Sequence, residues 1–488
     1  MAKPCFERAW LGVILGGYLV IGTLYAAYTP AWQAPDEPAH YNYVRHLAER
    51  GELPILQAGD YPQAYLEQLK AARFPPQLSI APLRYEAWQP PLYYVLAAPL
   101  YQLTGGGLLP LRLFSVALGA GTILLSYAIG ARLVPGDRQL ALAAAAFVAY
   151  LPMHLAMSAA VNNDGLAELL IAAVVWRLLA WDGVSQLPWR SVALTGLLLG
   201  LALITKATSY YTLLPLAVLA VLWSCRRPAQ LLARAAALLG PAVAVALPWW
   251  LRNVSIYGWP DLLGKLHHDQ VVVGQLRTGE YLGQVGWPAY LADLLSTSFH
   301  SFWGQFGWMA VPMDSRVYLL LGLLSALAVA GWLAVAWQAR PARPAGEATS
   351  AHLTRYRLVL LGLWLALTVG GYLYYNVQFV QFQGRYLFPA LTPIALLMVW
   401  GWRKALTRRG AWLGAGLAAG VTAVSGLAGG AGGRPDKWSL ALGGGLTLAL
   451  WARRWLPAGW DSWLVALPLI GLAMLAVYSL FAYVVPNL

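Results

Sequence analysis

Apolar runs of about twenty residues recur along the whole chain, and each is long enough to cross a bilayer as a helix. Only 11% of the 488 residues are charged and 59% are hydrophobic, whereas a soluble domain carries roughly 25% charged residues. Most side chains therefore cannot face water. The expected fold class is all-α: a polytopic transmembrane helix bundle, with its 24 Trp and 26 Tyr supplying aromatic belts at the two interfaces.

Lys and Arg fall in short clusters between apolar runs, as a topology signal places them. The clearest are Arg226, Arg227 and Arg234; Arg340, Arg343, Arg355 and Arg357; Arg403, Lys404, Arg408 and Arg409; and Arg453 with Arg454. Taking these as cytoplasmic gives spans near 9–28, 112–131, 139–157, 165–181, 192–206, 209–224, 234–250, 316–337, 358–375, 386–402, 411–428, 438–452 and 463–484. That predicts thirteen spans, the N-terminus inside and the C-terminus outside. The first run reads as a retained span, being longer than a signal peptide's apolar region and without a small-x-small cleavage site. Residues 91–104 are apolar but short, and a span there would invert everything downstream. They read as a helix in the outer interface.

Two outer loops are long, 29–111 and 251–315, and loops of that length usually carry function. Of 20 acidic residues only Glu7, Asp137, Asp182, Glu347 and Asp461 fall on the cytoplasmic side. Insertion does not force that skew, so polar machinery on the outer face is expected. The net charge of +13 belongs to the topology signal, and no basic tail or basic-aromatic patch suggests nucleic acid. Cys5 and Cys225 form no disulfide framework. There is no GxxxxGK[ST] loop and no HExxH or Gly-x-Ser-x-Gly signature.

Residues that could carry chemistry gather at the predicted outer end. Ala34-Pro35-Asp36-Glu37-Pro38-Ala39-His40-Tyr41 puts two carboxylates at the exit of the first span. Asp36 could be the N-cap of an amphipathic helix with Pro38 in its first turn. It could also be a general base for a hydroxyl. Gln89-Pro90-Pro91-Leu92-Tyr93-Tyr94 opens the interfacial helix. Asn162-Asn163-Asp164-Gly165 offers a second cap or a second carboxylate, and Glu168 lies one turn further into the membrane, where an ionisable group is a functional candidate. Lys206, Arg252 and Arg385 run against the inward bias of cations. They either snorkel or form a phosphate site, Arg bidentate and Lys as a point charge. His267-His268-Asp269 could supply a metal ligand, and the aromatic stretch 298–309 a lid or an anchor.

The order of these motifs resembles the GT-C superfamily of membrane glycosyltransferases, related to protein mannosyltransferases and the lipid A aminoarabinose transferase. The resemblance rests on the acidic pair after span one, Pro90-Pro91-Leu92-Tyr93-Tyr94, Asn163-Asp164, Thr205-Lys206-Ala207, Trp250-Leu251-Arg252-Asn253 and Gly384-Arg385-Tyr386. Asp36-Glu37-Pro38-Ala39-His40, Trp303-Gly304-Gln305-Phe306-Gly307-Trp308 and Gln383-Gly384-Arg385-Tyr386 look closest to a bacterial branch of unknown function.

The resemblance covers residues 1 to about 400, a catalytic membrane module, and leaves 401–488 as C-terminal spans. It implies transfer of a sugar from a polyprenyl-phosphate donor to a hydroxyl of a glycan, lipid or protein acceptor, with inversion, in a bacterial cell membrane and facing outward. Asp36, Glu37 and Asp164 would be catalytic. Lys206, Arg252, Arg385 and Tyr386 would hold the donor phosphate. His40, Gln89, Tyr93 and Asn163 would contact substrate. A divalent metal (Mg, Mn or Ca) on Asp36, Asp164 and His268 is a further expectation, and no nucleotide cofactor is expected. Gln89 stands where mannosyltransferase relatives often carry His, and no large C-terminal outer domain follows. A flippase of a lipid-linked saccharide would predict inverted repeats, and none is evident. A non-catalytic scaffold would not need a carboxylate and three cations on one face.

Overall fold

A computed structural model describes residues 4–488 except 182–186, 226, 339–347, 409 and 432–436. Arg226, Arg340, Arg343, Arg409, Asp182 and Glu347, which entered the orientation reading, lie outside the described residues.

The chain is helical almost throughout. Helix α1 (Pro4–Tyr28) leads into α2 (Glu37–Arg50), α3 (Gln63–Ala71) and α4 (Leu92–Leu103). Then come α5 (Leu108–Leu133), α6 (Arg138–Tyr150), α7 (Pro152–Ser158), α8 (Asp164–Leu178), α9 (Trp189–Leu203), α10 (Thr208–Ser224) and α11 (Pro228–Tyr257). After α12 (Lys265–Val271) and α13 (Thr278–Trp303), a two-residue antiparallel ladder pairs Gln305–Phe306 with Val311–Pro312. Helices α14 (Ser315–Gln338) and α15 (Ala348–Gln378), a 3₁₀ segment Gly384–Ala390, α16 (Leu391–Ala405), α17 (Gly410–Ala431), α18 (Lys437–Ala452) and α19 (Asp461–Ser479) follow.

Every expected span falls largely on helical residues, though 139–157 is divided between α6 and α7 and 386–402 begins in the 3₁₀ segment; 91–104 contains α4, packed against α2. The count of thirteen is not reproduced by length and apolarity. Among the described residues six helices are long and apolar enough to cross a membrane, or seven if a bent pair is one span. That pair is α6 and α7, turned by 64° at Leu151-Pro152. Proline removes an N–H and clashes with the preceding turn, which is why the helix breaks there. Helices α9 and α10 are apolar but shorter, and Arg385 with Tyr386 lies on the 3₁₀ segment ahead of α16 rather than in a continuous span.

Inside the bundle α5 packs on α6 and α8, α9 on α11, and α14 on α16. Tyr18, Phe147 and Trp402 are fully buried, while Val13, Val20, Val218 and Leu467 point outward with more than half their surface free. In lipid, close packing rather than the hydrophobic effect holds such helices together.

The two long loops form a different kind of structure. Leu66, Leu69, Phe74, Leu83, Tyr85 and Val272 make one small apolar core, and Leu56, Ala87 and Trp88 another. Burying one such side chain away from water stabilises by about 1.5–3 kcal/mol, so the loops make a folded cap. Polar ties join them: Leu56 N–H donates to the Tyr257 hydroxyl at 3.1 Å, and Arg252 Nη2 donates to the Pro54 carbonyl at 2.6 Å.

Candidate active site

Asp36 sits at the start of α2 with φ 67° and ψ −6°, a left-handed conformation that costs a non-glycine residue strain. It is the N-cap by position, but its side chain caps nothing. Instead Tyr85 OH donates to Oδ1 at 3.0 Å and Arg385 Nη2 donates to Oδ2 at 3.0 Å. The strained backbone turns the carboxylate away from the helix end and towards the cap and the 3₁₀ segment. About a third of the Asp36 side chain remains exposed, against 7% for Arg385.

Glu37, its neighbour, has a different environment. It is fully buried, and Arg112 Nε and Nη2 reach its two oxygens at 2.8 and 2.6 Å. Val161 N–H and Trp32 N–H donate to the same carboxylate. Arg112 also donates to the carbonyls of Ala26, Thr29 and Pro30. This ion pair therefore joins the end of α1, the start of α2, the head of α5 and the turn before α8. Glu37, expected beside the reaction, is placed in the frame that holds Asp36.

The second carboxylate, Asp164, accepts from Lys206 Nζ at 2.5 Å. Asp164 opens α8, and its own N–H is capped by Asn162 Oδ1. Asn163, fully buried, donates to Gln89 Oε1 at 3.2 Å and to the Thr205 carbonyl at 3.1 Å, tying the turn before α4 to the turn after α9. Between the two ion pairs stands His40, whose Nδ1 shares a 2.8 Å hydrogen bond with the Tyr94 hydroxyl. Burial, then Lys206, pushes its pKa down to about 4, with Asp36 and Asp164 opposing. It is neutral at neutral pH and lies within the field of all four charged groups, so Asp36, Arg385, Asp164 and Lys206 gather near His40.

Other expected residues fall elsewhere. Arg252 is committed to the Leu53 and Pro54 carbonyls and lies over Trp249 at 4.9 Å, so it fixes the cap instead of joining Lys206 and Arg385. Tyr93 is fully buried against Ser115, at 2.9 Å. Tyr386 stays with the site, beside the Arg385 guanidinium at 5.3 Å. Glu168 meets His154 Nε2 at 3.0 Å within the bundle. In the aromatic stretch, Trp308 Nε1 donates to the Trp32 carbonyl at 3.0 Å, four residues before Asp36.

The residues do not fit the expected metal. His268 contacts Asp269 at 3.0 Å and lies over Trp88, while Asp36 and Asp164 each already hold a cation. Among the described residues no three His, Cys, Asp or Glu side chains gather closely enough to hold an ion.

Two residues escaped the sequence reading. Arg112 carried the same signal as Lys206 and Arg385, a cation at the outer end of a span. Glu86 lies three residues before Gln89, in the connection leading into α4, and one of its oxygens is buried with no hydrogen-bond partner among the described residues.

The chain is similar in structure to ArnT from Cupriavidus metallidurans. In the apo state the TM-score is 0.55 at 15% identity, over 97% of this chain and 76% of that one. In the form bound to undecaprenyl phosphate the values are 0.52, 15%, 98% and 77%. The Archaeoglobus fulgidus oligosaccharyltransferase tethered with an acceptor peptide matches with a TM-score of 0.50 at 13% identity, over 97% of this chain and 56% of that one. A comparison with curated protein sequences finds no match. The fold is that of the GT-C membrane glycosyltransferases. With its family model matching residues 81–398, from within the first outer loop into α16, the chain belongs to the family described as "Predicted membrane protein (DUF2142)".

Proposed function

We propose that this protein transfers a sugar from a polyprenyl-phosphate donor to an acceptor hydroxyl on the extracytoplasmic face of the membrane, with inversion. The observation that carries the reading is the pair of carboxylate–cation contacts, Asp36–Arg385 and Asp164–Lys206, around neutral His40 in a GT-C fold.

A phosphodiester donor brings one negative charge. Arg385 offers a planar fork and Lys206 a point charge, and both lie near His40. As the bond between the anomeric carbon and the phosphate oxygen breaks, that oxygen gains charge. Cations already in place stabilise it without rearranging. Entry of the phosphate competes with Asp36 for Arg385 and frees a carboxylate oxygen for the acceptor hydroxyl. Asp164 keeps Lys206 oriented, and Asn163 and Gln89 fix the turn that supports it.

The test is transfer by the purified protein from a panel of polyprenyl-phosphate sugars, with Asp36→Asn beside it. Full activity in that variant would remove Asp36 from the chemistry. A wild type that moves lipid-linked sugar across vesicles without transferring it would favour a flippase.

A further inference from the structure

Three carboxylates, Asp36, Asp164 and Glu86, lie near one another around Lys206, and two of them carry a cation each. The third, Glu86, carries none among the described residues, and its Oε2 is buried with no hydrogen-bond partner among them. The groups that face Glu86 come from several elements: Asp36 from the start of α2, Asp164 from the start of α8, Lys206 from the turn after α9, and Gln89 from its own connection. The Tyr85, Tyr94 and Tyr375 hydroxyls lie in its field as well. Gln89, which hydrogen-bonds it, is itself fixed by Asn163.

Burial of an uncompensated carboxylate is costly. That burial, then the like charge of Asp36, pushes the Glu86 pKa up to about 7, with Lys206 and Gln89 opposing. Asp36 differs in its contacts, because a guanidinium and a phenol occupy its two oxygens while Glu86 Oε2 has no such partner among the described residues. A base works best when its affinity for protons matches the working pH. With both oxygens held, Asp36 is placed to orient a hydroxyl, and Glu86 Oε2 has a free position for its proton.

We propose that Glu86 takes the proton from the acceptor hydroxyl, while Asp36 orients that hydroxyl. The proposal rests on the glycosyltransferase reading of the site. The acceptor O–H bond breaks and the proton passes to Glu86 Oε2. The acceptor oxygen bonds to the anomeric carbon. The bond from that carbon to the phosphate oxygen breaks, its electron pair stays on phosphate, and the lipid phosphate leaves with one more negative charge. Glu86 then returns its proton to water, and no other reactant is required.

The experiment compares wild type, Glu86→Gln and Glu86→Asp, each as the full chain in lipid nanodiscs. With a polyprenyl-phosphate sugar that the wild type uses, Glu86→Gln should lower kcat by about 10²–10⁴-fold and leave the donor KM within about threefold. The rise of rate with pH near 7 should vanish in the Gln variant and persist, shifted, in the Asp variant. A Gln variant with wild-type kcat, or one that keeps the same rise, overturns the proposal, as does a change confined to KM.

A second measurement needs no turnover. Undecaprenyl phosphate binding is titrated against pH in wild type and Glu86→Gln. As Glu86 ionises beside the phosphate, wild type should weaken severalfold relative to the variant between pH 6 and 8. A ratio that does not change with pH overturns the role of Glu86 and leaves the lipid-phosphate reading standing. A wild type that binds no undecaprenyl phosphate at any pH overturns the lipid-phosphate reading itself, and Glu86 with it.

Discussion

Arg385 Nη2 donates to Asp36 Oδ2 at 3.0 Å across 349 positions of sequence. The guanidinium is otherwise held by Gln383 Oε1 at 2.7 Å, so it approaches Asp36 from a fixed direction. Arg385→Lys keeps the charge but loses the planar fork. Its donor KM should rise about tenfold or more in a transfer assay, with folding unchanged. A KM equal to wild type would show that Arg385 does not meet the donor.

Lys206 and Asp164 make the parallel pair at 2.5 Å. A charge-assisted hydrogen bond contributes about 1.5–3 kcal/mol, so Lys206→Met should weaken undecaprenyl phosphate binding roughly ten- to hundredfold. Arg252→Met should weaken it little, because Arg252 is bound to cap carbonyls. Titration calorimetry on both variants checks the contrast. Equal losses would place all three cations in one phosphate site.

The Glu37–Arg112 pair is buried on both sides. Removing one partner leaves a buried charge, at a cost of about 3–5 kcal/mol. Arg112→Met should therefore lower the unfolding temperature in detergent sharply. The double variant Arg112→Met with Glu37→Gln should recover part of the loss. A single variant as stable as wild type would mean that the pair holds nothing in place.

Gly384 lies against α13, where an added Cβ would collide with the Ser298 carbonyl oxygen. Gly384→Ala should cost about 1–3 kcal/mol by overpacking. It should also displace Arg385, the next residue, so activity should fall further than the loss of stability explains. Thermal unfolding and transfer rates, measured together, separate the two effects.

His40 and Glu86 predict opposite pH dependences. The folded-state pKa of His40 is depressed from 6.5 to about 4, so the unfolded chain binds more protons between those values and stability from this group is lost as pH falls. That of Glu86 is raised from 4.5 to about 7, so the folded chain binds more protons there and stability is lost as pH rises. Together they offset between pH 4.5 and 6.5. Relative to wild type, Glu86→Gln should gain stability with rising pH in that window and His40→Asn should lose it. Denaturation at pH 4.5, 5.5 and 6.5 reads the difference, and parallel curves would show that neither group titrates as stated.

Much of this architecture was legible because lipid permits few solutions. The apolar runs marked the helices, and the motif order marked the fold. Asp36 stood out because it follows a membrane exit directly. The length and apolarity of the helices do not recover thirteen spans, since α8, α9, α10, α16 and α18 are shorter than 18 residues and proline breaks α6 from α7. What the pattern hid was side-chain direction. Lys206, Arg252 and Arg385 look alike in sequence, yet Arg252 turns to the Leu53 and Pro54 carbonyls while the other two meet carboxylates. Adjacent Asp36 and Glu37 part because a left-handed residue sits between the incoming chain and α2. Glu86 became informative only through its neighbours, which come from positions 36, 164 and 206.

The buried Glu37–Arg112 contact also has a bearing on biogenesis. A ribosome adds about 5–20 residues per second, so Arg385 is made roughly 17 to 70 seconds after Asp36, given the 349 positions between them. Arg112 is made only 75 positions after Glu37, and its partners Ala26, Thr29 and Pro30 are older still. The exit of α1 can thus be clamped while most of the bundle is still unsynthesised, with the Asp36 carboxylate waiting for its guanidinium. Catalytic competence would then mark the arrival of the 3₁₀ segment in the membrane, making first turnover a clock for late insertion.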